Sequence, residues 1–171
     1  ERLSELSQKL LVLSESEANS NAHVPIPIAG EVEAIVERYA PLFEARGLSF
    51  VHAIRGAGSA RGPRDAVGTI LGNLLDNALK FTPSPGSVEL SCEAVDAVWM
   101  LRVTDSGMGI DPEDQPRVFE RFYRADRARS SEGSGLGLAI VRNLVEKMGG
   151  EIHLTSRPAF GTTFEIRLPR S

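Results

Sequence analysis

The run Trp99-Met100-Leu101-Arg102-Val103-Thr104-Asp105-Ser106-Gly107-Met108-Gly109-Ile110 alternates apolar and polar residues, then stops on one carboxylate and two glycines. Alternation of this kind predicts a half-buried strand, and the glycines predict a turn at its end. The Asp105 carboxylate can accept a hydrogen bond from an exocyclic amine such as adenine N6, and glycines without a Cβ let the backbone approach a flat ring. An aspartate followed by glycine is, alone, most often a plain turn. Its weight here comes from further blocks around it in the chain.

Upstream, residues 63–81 predict a helix, with Pro63 suited to its first turn. Asn73, Asp76, Asn77 and Lys80 fall at i, i+3, i+4 and i+7, along one side; Val67, Ile70, Leu71, Leu74, Leu75 and Leu79 lie on the other. Asparagine can offer a magnesium ion a neutral carbonyl oxygen and lysine can neutralise phosphate, so this face can hold a metal triphosphate. A solvated helix face is the plainer reading. Two mediocre helix formers one turn apart, followed by Phe81-Thr82-Pro83, argue for the first.

The remaining chain frames these two pieces. Residues 24–29 read as a short edge strand, since Pro25 and Pro27 cannot donate to a ladder. Residues 30–46 have helical spacing with Gly47 as C-cap, although Pro41 weakens the last turn. Residues 48–54 alternate like a strand. Segments 87–94 and 98–104, joined by Val95-Asp96-Ala97, predict an antiparallel hairpin. The polar stretch 111–135 is too long for an ordinary connection and predicts a functional lid. A third helix over 136–148, stopped by Gly149-Gly150, and strands over 151–156 and 162–168 complete the pattern.

The chain has 171 residues, 42% hydrophobic and 25% charged, which fits one ordinary globular domain with a short appendage. A net charge of −4 argues against nucleic acid as the main partner. The single cysteine, Cys92, cannot form an internal disulfide and reads as a small buried hydrophobe, suiting a reducing compartment. No apolar run reaches the roughly 18 residues a membrane span needs. Leu3, Leu6, Leu10 and Leu13 step by 3 and 4 into a narrow apolar stripe that wants a partner helix, and the opening Glu1-Arg2-Leu3 suggests a piece of a longer polypeptide.

Four blocks in order resemble the sensor histidine kinases. Residues 73–82 resemble their N box and residues 105–110 their G1 box. Arg117-Val118-Phe119-Glu120-Arg121-Phe122-Tyr123-Arg124 resembles the F box, and Gly133-Ser134-Gly135-Leu136-Gly137-Leu138-Ala139-Ile140-Val141 the G2 box. Gly161-Thr162-Thr163-Phe164-Glu165-Ile166-Arg167-Leu168-Pro169 is similar to the family's closing strand, so the resemblance covers residues 25–169.

That resemblance implies the Bergerat fold, a two-layer α/β sandwich whose mixed, mostly antiparallel sheet is covered on one face by three helices, with ATP under a lid. It implies residues 26–171 as the catalytic ATP-binding domain, 21–25 as a linker, and 1–20 as part of the second helix of a dimerisation hairpin. By similarity, Asn77 is the magnesium ligand, Lys80 a phosphate contact and Asp105 the adenine-reading carboxylate. Gly107 and Gly109 admit the base, and Gly133, Gly135 and Gly137 offer N–H groups to phosphates at a helix start. Either Arg121 or Arg124 reaches the γ-phosphate. Phe81, Ile110, Ser134, Leu136, Leu138 and Thr163 are implied around the nucleotide; Phe122 is placed there too, though it and Phe119 are expected chiefly to anchor the lid by packing.

Asn73 stands where hydrolytic relatives in the wider superfamily carry a glutamate base. An amide is a poor base, so slow hydrolysis and phosphoryl transfer to a protein acceptor are expected, driven by positioning and electrostatics. The family's phosphoacceptor histidine is missing: His23, His52 and His153 fall in a linker and two strands and have none of its neighbours. The implied function is therefore an ATP-binding kinase domain acting on a histidine of a hairpin outside this sequence. Its implied partners are that hairpin, a response regulator and a second copy in the whole protein, in the cytoplasm beneath a bacterial inner membrane. The alternative is a nucleotide-binding regulatory or scaffold module of the same fold. A dinucleotide-binding fold is disfavoured because Gly133, Gly135 and Gly137 follow GxGxG rather than GxGxxG, and no GxxxxGK[ST] occurs.

Overall fold

A computed structural model describes residues 23–125 and 134–171. The apolar stripe of residues 3–13 and Gly133 lie outside them. In chain order the elements are β1 (Val24–Pro27), α1 (Ile28–Ala45), β2 (Leu48–Arg55), β3 (Ser59–Gly62), α2 (Ala66–Phe81), β4 (Gly86–Val95), β5 (Val98–Asp105), α3 (Gly137–Lys147), β6 (Glu151–Arg157) and β7 (Gly161–Pro169). Five strands form one sheet in the order β2-β4-β5-β7-β6, with β2 parallel to β4 and every other pair antiparallel. This is the mixed, mostly antiparallel sheet of the expected two-layer sandwich.

Strict alternation drives the layering. Val88, Leu90 and Cys92 on β4, Trp99, Leu101 and Val103 on β5, and Phe164, Ile166 and Leu168 on β7 are all buried, while their neighbours are partly or fully exposed. The buried face is covered by α1, α2 and α3, which pack on one another through Val32, Tyr39, Val67, Ile70, Leu71, Leu74, Val141 and Val145. The opposite face carries polar cross-strand pairs. Arg102 pairs with Glu165 at 2.5 Å and Arg167 reaches the same carboxylate at 2.9 Å; the Arg102 hydrogen bond, foremost, holds Glu165 below its ordinary pKa. Cys92 is 1% exposed, and burial pushes its thiol up to about 11.

Several boundaries differ from the sequence reading. The strand read over 24–29 does begin at Val24 and pairs antiparallel with β3, but it stops at Pro27, and Ile28 and Ala29 open α1; Val24 and Pro25, also counted in the implied linker, belong to that strand. β3, Ser-Ala-Arg-Gly, had no signal: it is short and glycine-ended, and long-range pairing alone makes it a strand. α2 starts at Ala66 rather than Pro63, whose carbonyl instead accepts a turn hydrogen bond from the Ala66 N–H at 3.0 Å. Pro41 does not end α1, which runs on to Ala45 before Gly47 takes φ +66. The proline ring faces solvent while Tyr39 and Phe43 beside it are buried, so packing keeps the final turn despite one lost hydrogen bond.

Candidate functional site

A cavity of about 360 Å³ opens between α2, the turn that follows β5 and the chain leading into α3. The first wall follows from the α2 repeat. With Leu71, Leu74, Leu75 and Ala78 locked in the core, Asn73, Asp76, Asn77, Lys80 and Phe81 are turned into the cavity. Asn73 donates its Nδ2 to the Thr69 carbonyl at 2.8 Å. That leaves its Oδ1 toward Gly137, where any Cβ would sit 2.8 Å from it. The Tyr39 hydroxyl, contributed by α1, is shared between Asp76 at 2.7 Å and the Gly72 carbonyl at 3.1 Å. Burial foremost, then Asp76, pushes the Tyr39 phenol up to about 12. The Lys80 ammonium lies 5.0 Å from the Phe81 ring centroid.

Across the cavity stands Asp105, the last residue of β5. Its Oδ1 accepts the Gly107 N–H at 2.8 Å, and the Thr162 N–H also reaches its carboxylate. Burial raises its pKa, against the pull of those two hydrogen bonds. Gly107 is required because a Cβ there would meet the Phe81 carbonyl at 2.5 Å; the neighbouring Met108 N–H donates to that same carbonyl at 3.1 Å. The turn after β5 is thus stitched to the end of α2. Gly109 and Ile110 continue the wall.

The third side is made by Val118, Tyr123 and Arg124 before the undescribed segment and by Ser134, Gly135, Gly137 and Leu138 after it. The Tyr123 hydroxyl donates to Asp114. Gly135, at φ +70, lies so close to the Phe122 backbone that a Cβ would be 2.9 Å from the Phe122 Cα, and its carbonyl accepts the Phe122 N–H at 2.9 Å. The start of α3 brings its first N–H groups to this side, with no side-chain cap of its own.

Of the residues singled out from sequence, Asn73, Asn77, Lys80, Phe81, Asp105, Gly109, Ile110, Arg124, Ser134, Gly135, Gly137 and Leu138 line the cavity. Gly107 shapes it from behind. Leu136 does not line it: the side chain is fully buried in the core. Arg121 is exposed and outside the lining, whereas Arg124 is in it. Phe122 is 58% exposed with φ +64 and lies outside the cavity lining, whereas Phe119 packs edge-on to Phe164 at 6.3 Å. Thr163 is on the wrong face. Its hydroxyl bonds Thr104 at 3.1 Å on the polar side of the sheet, and Thr162, paired with Asp105, faces the cavity instead. The period of β7 carried that signal, since Phe164, Ile166 and Leu168 put 162 on their own face. Tyr123 and Asp114, also missed, come from a segment without periodicity. His23, His52 and His153 are exposed and none lines the cavity.

Residues 62–171 match the family described as histidine kinase-, DNA gyrase B-, and HSP90-like ATPase. The sensor protein IrlS of Burkholderia pseudomallei is 36% identical over 175 aligned positions, covering 99% of this chain and 37% of that protein. The sensor histidine kinase CusS of Escherichia coli K12 is 35% identical over 174 positions, covering 98% of this chain and 35% of that protein. The chain thus spans little more than a third of these relatives. Among solved structures, a mycobacterial sensor histidine kinase, MprB, superposes with a TM-score of 0.74 at 33% identity, over 87% of this chain and 98% of that one. Full-length ShkA in complex with AMPPNP superposes at 0.85 and 28% identity, over 99% of this chain and 36% of that one.

Proposed function

We propose, since the chain belongs to the histidine kinase-, DNA gyrase B- and HSP90-like ATPase family, that it is the ATP-binding catalytic domain of a sensor histidine kinase and delivers the ATP γ-phosphoryl group to a histidine on a hairpin of its parent protein. One observation carries this reading: a half-buried carboxylate, Asp105, faces an amide and ammonium wall across a cavity of nucleotide size. Asp105 accepts the adenine amine, with Gly107 and Gly109 allowing the ring to approach. Lys80 and Arg124 neutralise phosphate, and the start of α3 at Gly137 offers N–H groups to it. The donor set suits magnesium through the neutral oxygen of Asn77. Among the described residues no cluster of three or more His, Cys, Asp or Glu could hold a metal without the nucleotide's own oxygens. A bound magnesium ion supplies charge neutralisation of the triphosphate.

In the transfer, a ring nitrogen of the acceptor histidine bonds to the γ-phosphorus, the bond to the β,γ-bridging oxygen breaks, and ADP leaves. The chain's own contribution is alignment and charge. Asn73 cannot act as a base on water, and its amide is tied to its own helix, which supports slow hydrolysis. Residues 1–20 are read as hairpin helix, and a response regulator and a second copy of the parent as partners. Among the described residues no helix is long and apolar enough to cross a membrane; anchoring in an inner membrane belongs to the parent chain. The test mixes this chain with magnesium ATP and a separate hairpin bearing the acceptor histidine. Acid-labile label on the hairpin is expected. Tight ATP binding with no transfer to any supplied hairpin would instead favour a regulatory or scaffold module.

A further inference from the structure

We propose that Gln115 and Ser156, neither of which lines the cavity, are the positioning pair that fixes the base-reading turn and couples it to the third side of the groove at Asp114 and Tyr123. This rests on the adenine-nucleotide reading of the site. The turn 107–110 contains two glycines and has little conformational preference of its own, so bonds from outside must set its shape. Gln115 uses both amide hydrogens: its Nε2 donates to the Ile110 carbonyl at 2.9 Å and to the Ser156 carbonyl at 3.0 Å. The Ser156 hydroxyl accepts the Ile110 N–H at 2.8 Å and lies 3.0 Å from the Gly161 carbonyl and 2.9 Å from the Thr162 hydroxyl. One consistent assignment satisfies all three. Ser156 donates to Gly161 and accepts from Ile110 and Thr162. The Ala159 N–H closes the frame by donating to the Met108 carbonyl at 2.8 Å.

Two connections leave this frame. Thr162, bonded to Ser156 through its side chain, gives its N–H to the Asp105 carboxylate, so the frame holds the acid as well as the turn. Gln115 directly follows Asp114, which lines the cavity and accepts from Tyr123. The residue that locks Ile110 is thus built into the start of the groove's third side. A shift of that side pulls on Gln115 and is felt at the base. Loosening either side chain should therefore weaken nucleotide binding and blunt base selection together, even though neither touches the ligand.

The experiment titrates this chain and the variants Gln115→Glu, Gln115→Met, Ser156→Ala and Ser156→Thr with ATP and GTP by calorimetry, alongside amide exchange at Ile110 and ligand-free melting. Gln115→Glu sets an acceptor against two carbonyls and is expected to raise the ATP dissociation constant about tenfold and cut the ATP-over-GTP ratio at least about threefold. Gln115→Met, which removes the donors without adding charge, should do the same more weakly. Ser156→Ala should speed exchange at Ile110 and lose affinity, and Ser156→Thr, keeping the hydroxyl, should recover most of it. Should Gln115→Glu fail to fold, Gln115→Met and Ser156→Ala decide alone. Lower melting temperatures with an unchanged ATP-over-GTP ratio would overturn the inference, reducing the pair to a packing role. If binding falls in Asp105→Asn but in none of these four variants, the inference fails and the nucleotide reading stands. If the unsubstituted chain binds no adenine nucleotide, both fail.

Discussion

The two facing walls of the cavity are made by different physics. On α2, the side chains that line the cavity are set by a helical repeat whose other face is buried leucine, and the Asn73 amide donates to Thr69, one turn back. On the β5 side, Asp105 and residues 107–110 are held by groups far along the chain: Phe81, Ser156, Ala159 and Thr162. The first wall is a regular surface on which side chains can change without changing its shape. The second is a backbone conformation that exists only while distant contacts hold it. A substitution on α2 should therefore alter chemistry, and one behind the turn should alter geometry.

The strongest way to break this contrast is Gly161→Ala. Gly161 has φ +103, and a Cβ there would run into the Asp105 carbonyl, so the β7 start and the turn cannot both keep their places. A loss of about 3 kcal/mol or more in urea unfolding is expected, with ATP binding lost as well. Next comes Asp105→Asn, which keeps the shape but removes the charged acceptor. Calorimetry should show ATP bound more weakly by about 2 kcal/mol, roughly thirtyfold, with GTP little changed. On the helical wall, Asn77→Asp adds charge beside the triphosphate. It should cost magnesium ATP about tenfold in affinity, close to 1.4 kcal/mol, while melting stays put. If neither Asp105→Asn nor Asn77→Asp reaches about tenfold, the site is misplaced. Tyr39→Phe removes the donor shared by Gly72 and Asp76 and should lower stability by about 1 kcal/mol, since the exposed Asp76 can turn to water while the buried Gly72 carbonyl loses this donor.

Proton titration sharpens the same contrast with the smallest effect. Burial raises the Asp105 pKa, so its protonated form is favoured by the fold: the stability it contributes is complete below the unfolded value and is lost as pH rises through the folded one. For binding the sense is opposite. The acid accepts the adenine amine only when ionised, so ATP affinity should begin to fall, on acidification, above the ordinary aspartate range. Dissociation constants measured against pH should show that decline in the unsubstituted chain and not in Asp105→Asn.

Legibility followed the same divide. The α2 wall was readable to the residue, because 3.6-residue periodicity separates Asn73, Asn77 and Lys80 from the leucines opposite. The β4–β5 hairpin was readable because Asp96, at φ +51, turns two cleanly alternating strands. Thr162 was legible as well, since the alternation of Phe164, Ile166 and Leu168 puts it on their face; the resemblance implied Thr163 against that period. The resemblance implies Leu136 beside the nucleotide, yet its side chain turns inward to complete the core. β3 went unseen, since four residues with no apolar pattern become a strand only when β1 lies beside them.

What the amino-acid order determined by itself is everything that repeats or sits within a few residues: three helices, the alternating strands, an amide and ammonium face, and an acid at a strand end. Tertiary structure decided the sheet order, the pairing of Thr162 with the acid, the engagement of Tyr39 with Asp76, and the frame of Gln115 and Ser156 around the turn. The reason is physical. Helical and strand periodicity act between near neighbours, whereas the shape of a glycine-bearing turn is set by hydrogen bonds to groups that only the closed sheet brings within reach.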